Sequence, residues 1–135
     1  MMTPETALLA GTALHFGFQA TVTTVVYPAL ARVDPSGWAA AHRAHTRSIT
    51  PVVAVTYGVL ALICGWALLR EPGGWTLTAL AATAVAVLVT AATAAPAHHR
   101  LGNGYDARHI GRLLRADRVR TAAAAVALTA AAVAA

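Results

Sequence analysis

Six histidines are the side chains of this chain best suited to moving a proton near neutral pH. His42 and His45 stand three apart in HRAH. That spacing puts both imidazoles on roughly one helix face, where they could bind one metal ion or act as a proton-transfer pair. His98, His99 and His109 belong to PAHHRLGNGYDARHIGRLLRADRVRT, Pro96 to Thr121, which also holds six arginines and two aspartates. An arginine there, Arg120 foremost, could hold a carboxylate, enolate or phosphate in two-pronged fashion. His15 stands apart, and Gln19, Thr23 and Tyr27 follow it at intervals of four, so a helix carrying them has a polar stripe along one face.

Other chemistries lose their footing. There is no Gly-rich phosphate loop, no G-x-S-x-G elbow, no CxxC and no HExxH, and GNG at 102–104 reads as a turn. Glu-x-x-His pairs are missing, and the carboxylates near the histidines are Asp34, Asp106 and Asp117, so a ferritin-type di-iron site is not expected.

These residues sit in a very apolar chain. Of 135 residues 58% are hydrophobic and only 11% charged, far from the roughly one quarter charged of a soluble globular domain. That composition predicts an integral membrane protein, and the length suffices for one domain of four spans of about 20 residues each. Apolar segments run over 6–31, 49–69, 75–97 and 121–135. With helical extensions at the polar side, the expected architecture is an all-α, integral membrane four-helix bundle with helices over about 5–31, 35–69, 75–97 and 106–135. The fourth apolar run has only fifteen residues, a rise of about 22 Å against a hydrocarbon core of ~30 Å, so its helix must begin earlier, with arginines snorkelling.

Local signals refine this picture. MMTPET has an acidic residue and no basic one, so the first segment is expected to remain in the mature protein. REPGGW, Arg70 to Trp75, is a tight turn that makes segments two and three an antiparallel hairpin. Asp34 followed by Pro35 reads as a cap and first residue of helix two, and Asp106 as the cap of helix four. Pro51 falls inside helix two and could kink it. Gly58, Ala61 and Gly65 form a small-residue pattern suited to close helix packing, within the bundle or against another copy as a homo-oligomer.

The single cysteine, Cys64, forms no intramolecular disulfide. All ten basic residues are arginine, and with so much alanine and valine they suggest a GC-rich bacterial genome. The net charge of +5 lies beside apolar segments, where topology and anionic lipid explain it better than nucleic acid, which is not an expected partner. Arginines crowd the connections between segments one and two and between three and four, so the positive-inside rule places both connections in the cytoplasm and both termini outside a bacterial plasma membrane.

Under that topology His42, His45, His98, His99 and His109 share one membrane face. They could form a pocket with His15, Gln19 and Tyr27 below, His42 and His45 on one wall, His98 or His99 and His109 on another, and Arg120 at the rim. Plainer readings stand beside this one. His15 and Gln19 could simply hydrogen-bond neighbouring helices, His42 and His45 could face head groups, and Arg108, Arg112, Arg115 and Arg118 could serve topology and lipid contact.

YPALARV (Tyr27 to Val33), HRAHTR (His42 to Arg47) and the Pro96 to Thr121 segment make the chain similar to small bacterial four-helix membrane proteins, the anthrone-oxygenase-like family among them. Members often begin helix four with Asn-Trp-x-Arg-Thr; here DRVRT keeps Arg120 and Thr121 and replaces the Asn-Trp. The resemblance implies a cofactor-free enzyme that oxidises a lipophilic phenolic carbon with molecular oxygen, after a base such as His15, His42 or His45 has made an enolate or phenolate. The residues by themselves suggest a membrane-embedded enzyme working on a lipophilic small molecule, with His15, His42, His45, Gln19 and Tyr27 as the catalytic group and His98, His99, His109 and Arg120 as the substrate-binding group. Two alternatives stay open: a haem- or metal-binding membrane protein, with His42 and His45 as ligands, and a non-enzymatic small membrane subunit.

Overall fold

Long apolar runs have few options in lipid, and the helix is one because it satisfies its own backbone hydrogen bonds. The computed structural model describes residues 2–135, and among these residues every regular element is helical. Helix α1 covers residues 4–31, as α-helix Pro4–Thr21, a π turn Val22–Val26 and α-helix Tyr27–Ala31. Helix α2 is Trp38–Leu68 and helix α3 is Gly74–Leu101, the latter interrupted by a second π turn, Thr90–Ala94. Helix α4 is Ala107–Ala134.

The helix ends follow from side-chain chemistry. Thr3 accepts from the Thr6 N–H and Pro4 opens α1, where a missing N–H costs nothing. Asp106 caps α4, accepting from the N–H groups of Arg108 and His109. Asp34 does not cap α2, which begins at Trp38 rather than at 35. Its carboxylate is taken up by the Ser36 hydroxyl and N–H, which closes a tight turn and delays the helix by a turn of chain. Those two bonds hold the Asp34 carboxyl below its usual range. Helix α3 continues to Leu101 rather than ending at 97, so His98 and His99 lie on its last turn. Helix α2 runs through Pro51 without a break.

Helix α4 is the centre of the bundle. Leu113, Ala116, Asp117, Arg120, Ala124, Ala127 and Ala131 are buried along one side of it, at spacings of three and four. It packs against α1 and α3, while α2 packs chiefly on α1 and meets α3 mainly along Gly74–Val89. Far from the arginines the interior is alanine-rich, with Leu8, Ala67, Ala79, Ala130 and Ala131 in one cluster. The close approach there belongs to Gly11, where an added Cβ would stand 2.9 Å from Ile63 Cδ1. Gly58 and Gly65 have nothing within 4 Å, so that small-residue pattern faces away from the bundle instead of packing it.

Helices α2 and α3 are long and apolar enough to cross a membrane, and only 17% and 22% of their apolar windows are buried inside the chain. Most of their apolar surface therefore faces outward, as in a lipid-facing helix and unlike the core helix of a soluble protein. Helix α4, with 28 residues, is about 42 Å long, more than the ~30 Å of hydrocarbon. Nine of the ten arginines lie on the half of the bundle that holds the 32–37 and 102–106 connections; Arg70, Glu5 and Glu71 lie on the other.

Candidate functional site

The two π turns decide which side chains meet. At about 100° per residue, the twelve positions from His15 to Tyr27 would leave these two some 120° apart on an unbroken α-helix. A π turn absorbs one residue and reduces the offset to about 20°. Its signature bond runs from the Tyr27 N–H to the Val22 carbonyl, and Pro28, which cannot continue a regular helical ladder, follows directly. Helix α3 repeats the device: the Ala95 N–H bonds to the Thr90 carbonyl and Pro96 follows. Thr90 and His98 thereby share a face.

Around Tyr27 a polar cluster draws on all four helices. Asp117 and Arg120 form an ion pair at 3.0 Å on α4, at 1% and 5% exposure. A charge pair so deep requires its remaining polar atoms to be satisfied. Gln19 donates to Asp117 Oδ1 at 3.4 Å, and the Thr23 hydroxyl, itself 2.6 Å from that of Thr121, donates to Oδ2 at 2.7 Å. Arg120 also donates to the Tyr27 hydroxyl at 3.2 Å and to Thr90 Oγ1 at 3.5 Å.

From Tyr27 the network continues through histidines. Its hydroxyl lies 3.1 Å from His98 Nε2, and His98 Nδ1 lies 3.3 Å from His42 Nε2. His42 stacks on buried Trp38, whose indole N–H donates to the Leu101 carbonyl and ties the start of α2 to the end of α3. His45 stacks on the other side of this group, 5.5 Å from the His98 ring.

This cluster lines a cavity of about 970 Å³ between α1, α2 and α3, with Arg120 reaching in from α4. The cavity exists because α2 leans on α1 and makes little backbone contact with the 90–101 part of α3. Phe18, Val22, Ile49 and Val53 form apolar wall, and Gln19, Tyr27, His42, His45, His98 and Arg120 the polar one. Gln19 Oε1, His45 Nε2 and Arg120 Nε are buried without a partner among the described residues.

The structure brings together some of the residues expected to share a pocket and separates others. Gln19, Tyr27, His42, His45, His98 and Arg120 come together, and His99 reaches the cavity wall from an exposed position. His109 does not join them. It faces the other way, 2.9 Å from Asp106 and 3.3 Å from Arg100, because the cap that starts α4 holds it at the helix end. Bonds from the His109 side chain, then from the His109 and Arg108 N–H groups, hold the Asp106 carboxyl below its ordinary range. His15 is also outside the cavity. It is fully buried nearer the middle of the bundle, 5.2 Å edge-on to Tyr57, whose hydroxyl bonds Thr90.

Thr23 joins the cluster as a member of the polar stripe, whereas Asp117 and Thr90 lie outside the residues that the sequence assigns to the pocket. Asp117 had a legible signal, since a carboxylate three residues before an arginine on one helix is placed to pair with it. As ligands for a metal, His42, His45 and His98 are badly disposed. Their rings stack at interplanar angles of 30° and 23°, which sets their nitrogens side by side instead of aiming them at one point. No group of three or more His, Cys, Asp or Glu able to hold a metal ion occurs among the described residues. Comparison with known protein families, curated proteins and solved structures finds no match to this chain.

Proposed function

We propose that this protein is a membrane-embedded enzyme that removes a proton from a lipophilic small molecule and holds the resulting oxyanion beside Arg120. The observation that carries this reading is the unbroken line Arg120, Tyr27, His98, His42 along the wall of a partly apolar cavity. Its hydrogen bonds can be ordered in two ways. In one, Tyr27 donates to His98 Nε2 and His98 Nδ1–H donates to His42 Nε2. In the other, His42 Nε2–H donates to His98 Nδ1 and His98 Nε2–H donates to a Tyr27 phenolate that faces the guanidinium. Passing from the first to the second moves one proton from Tyr27 to His42 with no heavy atom displaced. Tyr27 then takes the substrate proton and His42 releases its Nδ1 proton toward the arginine-rich end, which leaves both imidazoles in the opposite tautomer; each ring turns over or exchanges its proton with water before the first order is restored.

The resemblance to anthrone oxygenases supplies the reaction class. A deprotonated anthrone reacts with one molecule of oxygen to give the quinone and hydroxide, which the released proton converts to water, and the protein contributes the base, the anion site and exclusion of bulk water. The arginine asymmetry supports placing the 32–37 and 102–106 connections in the cytoplasm of a bacterial cell and both chain ends across its plasma membrane.

The test is oxygen uptake and quinone absorbance with an anthrone, using the protein in lipid nanodiscs. Tyr27→Phe and His98→Gln should each lower kcat by about 100-fold or more, the usual weight of a positioned acid or base, with helicity retained. Turnover unchanged in both folded variants, or no turnover by the unaltered protein, would overturn the reading.

A further inference from the structure

The cavity is amphipathic along its length. At the arginine-rich end its wall carries Arg43 and Arg47, exposed and one turn apart on α2. Toward the bundle middle the wall is Phe18, Val22, Ile49 and Val53. Arg120 is neutralised by Asp117, and no acidic side chain among the described residues lines the cavity, so the uncompensated charge on its wall is that of Arg43 and Arg47. Helices α2 and α3 make little backbone contact beside residues 90–101 and are bridged there by side chains, Trp38 to the Leu101 carbonyl and His42 to His98.

We infer that the cavity takes a lipophilic anion, one apolar body carrying a single carboxylate or phosphate head. The head lies at Arg43 and Arg47, where the anion meets both charge and water. The body lies against Phe18, Val22, Ile49 and Val53. The volume of about 970 Å³ is at the upper end of small-molecule sites, which run to ~1,000 Å³. This inference rests on the reading of a membrane-embedded acid/base site and names its substrate class. Arg43 and Arg47 thereby become recognition residues, where topology alone would make them interchangeable with any cytoplasmic arginine.

The experiment measures binding without turnover. Protein in phosphatidylcholine nanodiscs is titrated with cis-parinarate, read by energy transfer from tryptophan against empty discs, and then challenged with dodecanoate, dodecyl phosphate and dodecanol. Saturable binding at one per chain is expected, displaced by dodecanoate or dodecyl phosphate at least about tenfold better than by dodecanol; the better of the two names the head group. The double variant Arg43→Gln, Arg47→Gln should bind at least about tenfold more weakly, since each surface arginine attracts an anion appreciably. Val53→Trp, which fills the apolar end, should abolish binding. Thermal unfolding of both variants should match the unaltered protein. Dodecanol competing as well as the anions, an unchanged arginine variant, or no saturable binding would each overturn the inference. Loss of binding alongside intact anthrone turnover would remove this inference alone. Binding as expected, with turnover indifferent to Tyr27→Phe and His98→Gln, would remove the enzymatic reading alone.

Discussion

The two halves of the bundle use the same four helices in opposite ways. In the half holding both chain ends, Leu8, Ala67, Ala79, Ala130 and Ala131 pack with alanine-thin spacing, and Gly11 lets α1 press against Ile63. No π turn occurs in this half among the described residues. In the arginine-rich half, both π turns lie close to the cavity, the α2 backbone stands off from α3, and the interior combines Asp117, Arg120, Tyr27 and His98 with a cluster of larger apolar side chains, Leu30, Trp38, Leu101 and Leu113. Small residues give close contact and little room for chemistry. Larger side chains, polar and apolar, hold the helices further apart, and the space between them becomes a site.

The largest effect expected from breaking this contrast is at Asp117. Asp117→Ala leaves the Arg120 charge buried without its partner and should lower unfolding stability by about 3–5 kcal/mol. Denaturation in detergent checks this, and the double replacement Asp117→Leu, Arg120→Met should recover most of the loss because no lone charge remains. A single variant as stable as the unaltered protein would mean that water reaches the pair and that the polar half is not sealed.

A smaller effect is expected in the alanine-rich half. Ala127 is fully buried on α4, and Ala127→Leu should cost about 1–3 kcal/mol by overpacking. Gly58→Ala on the outward face of α2, with nothing within 4 Å, should instead be neutral or stabilise by up to about 1 kcal/mol through helix propensity. Unfolding midpoints of the two variants test the contrast directly, and equal losses would show that the face carrying Gly58 is packed after all.

The smallest effect belongs to the exposed cap. Asp106→Ala should lower the midpoint slightly at neutral pH, because the N–H groups of Arg108 and His109 lose their acceptor. The Asp106 carboxyl is depressed in the folded chain, so its contribution is present above the ordinary carboxylate range and disappears as the pH falls through the depressed value. Midpoints of the variant and the unaltered protein should therefore converge in acid. A gap that persists there would assign the effect to helix propensity instead of the carboxylate.

Some of the site could be read directly. The interval of four from His15 to Tyr27 announced a polar face, and Gln19 and Tyr27 do line the cavity. The same interval also put His15 there, although it lies one level deeper, because spacing gives a direction around the helix and says nothing about which neighbour stands opposite. His109 was misplaced for a related reason. A histidine three residues after a capping aspartate has a local partner, and that bond, 2.9 Å long, prevails over the distant cluster. Pro28 and Pro96 were the visible marks of the π turns, yet proline alone does not separate a π turn from the uninterrupted helix that surrounds Pro51.

Four helices, the cap at Asp106 and the gathering of charge at one end were determined by the sequence alone. They are local properties, set by runs of apolar residues, by a carboxylate beside free N–H groups and by where arginines fall along the chain. Which histidines meet was decided only in the folded bundle. Tyr27 and His98 are 71 residues apart, and their contact depends on two π turns that rotate α1 and α3 into register and on a central α4 that holds them at the right separation. Helix rotation and helix spacing are set by packing among all four helices at once, so no single stretch of sequence encodes them.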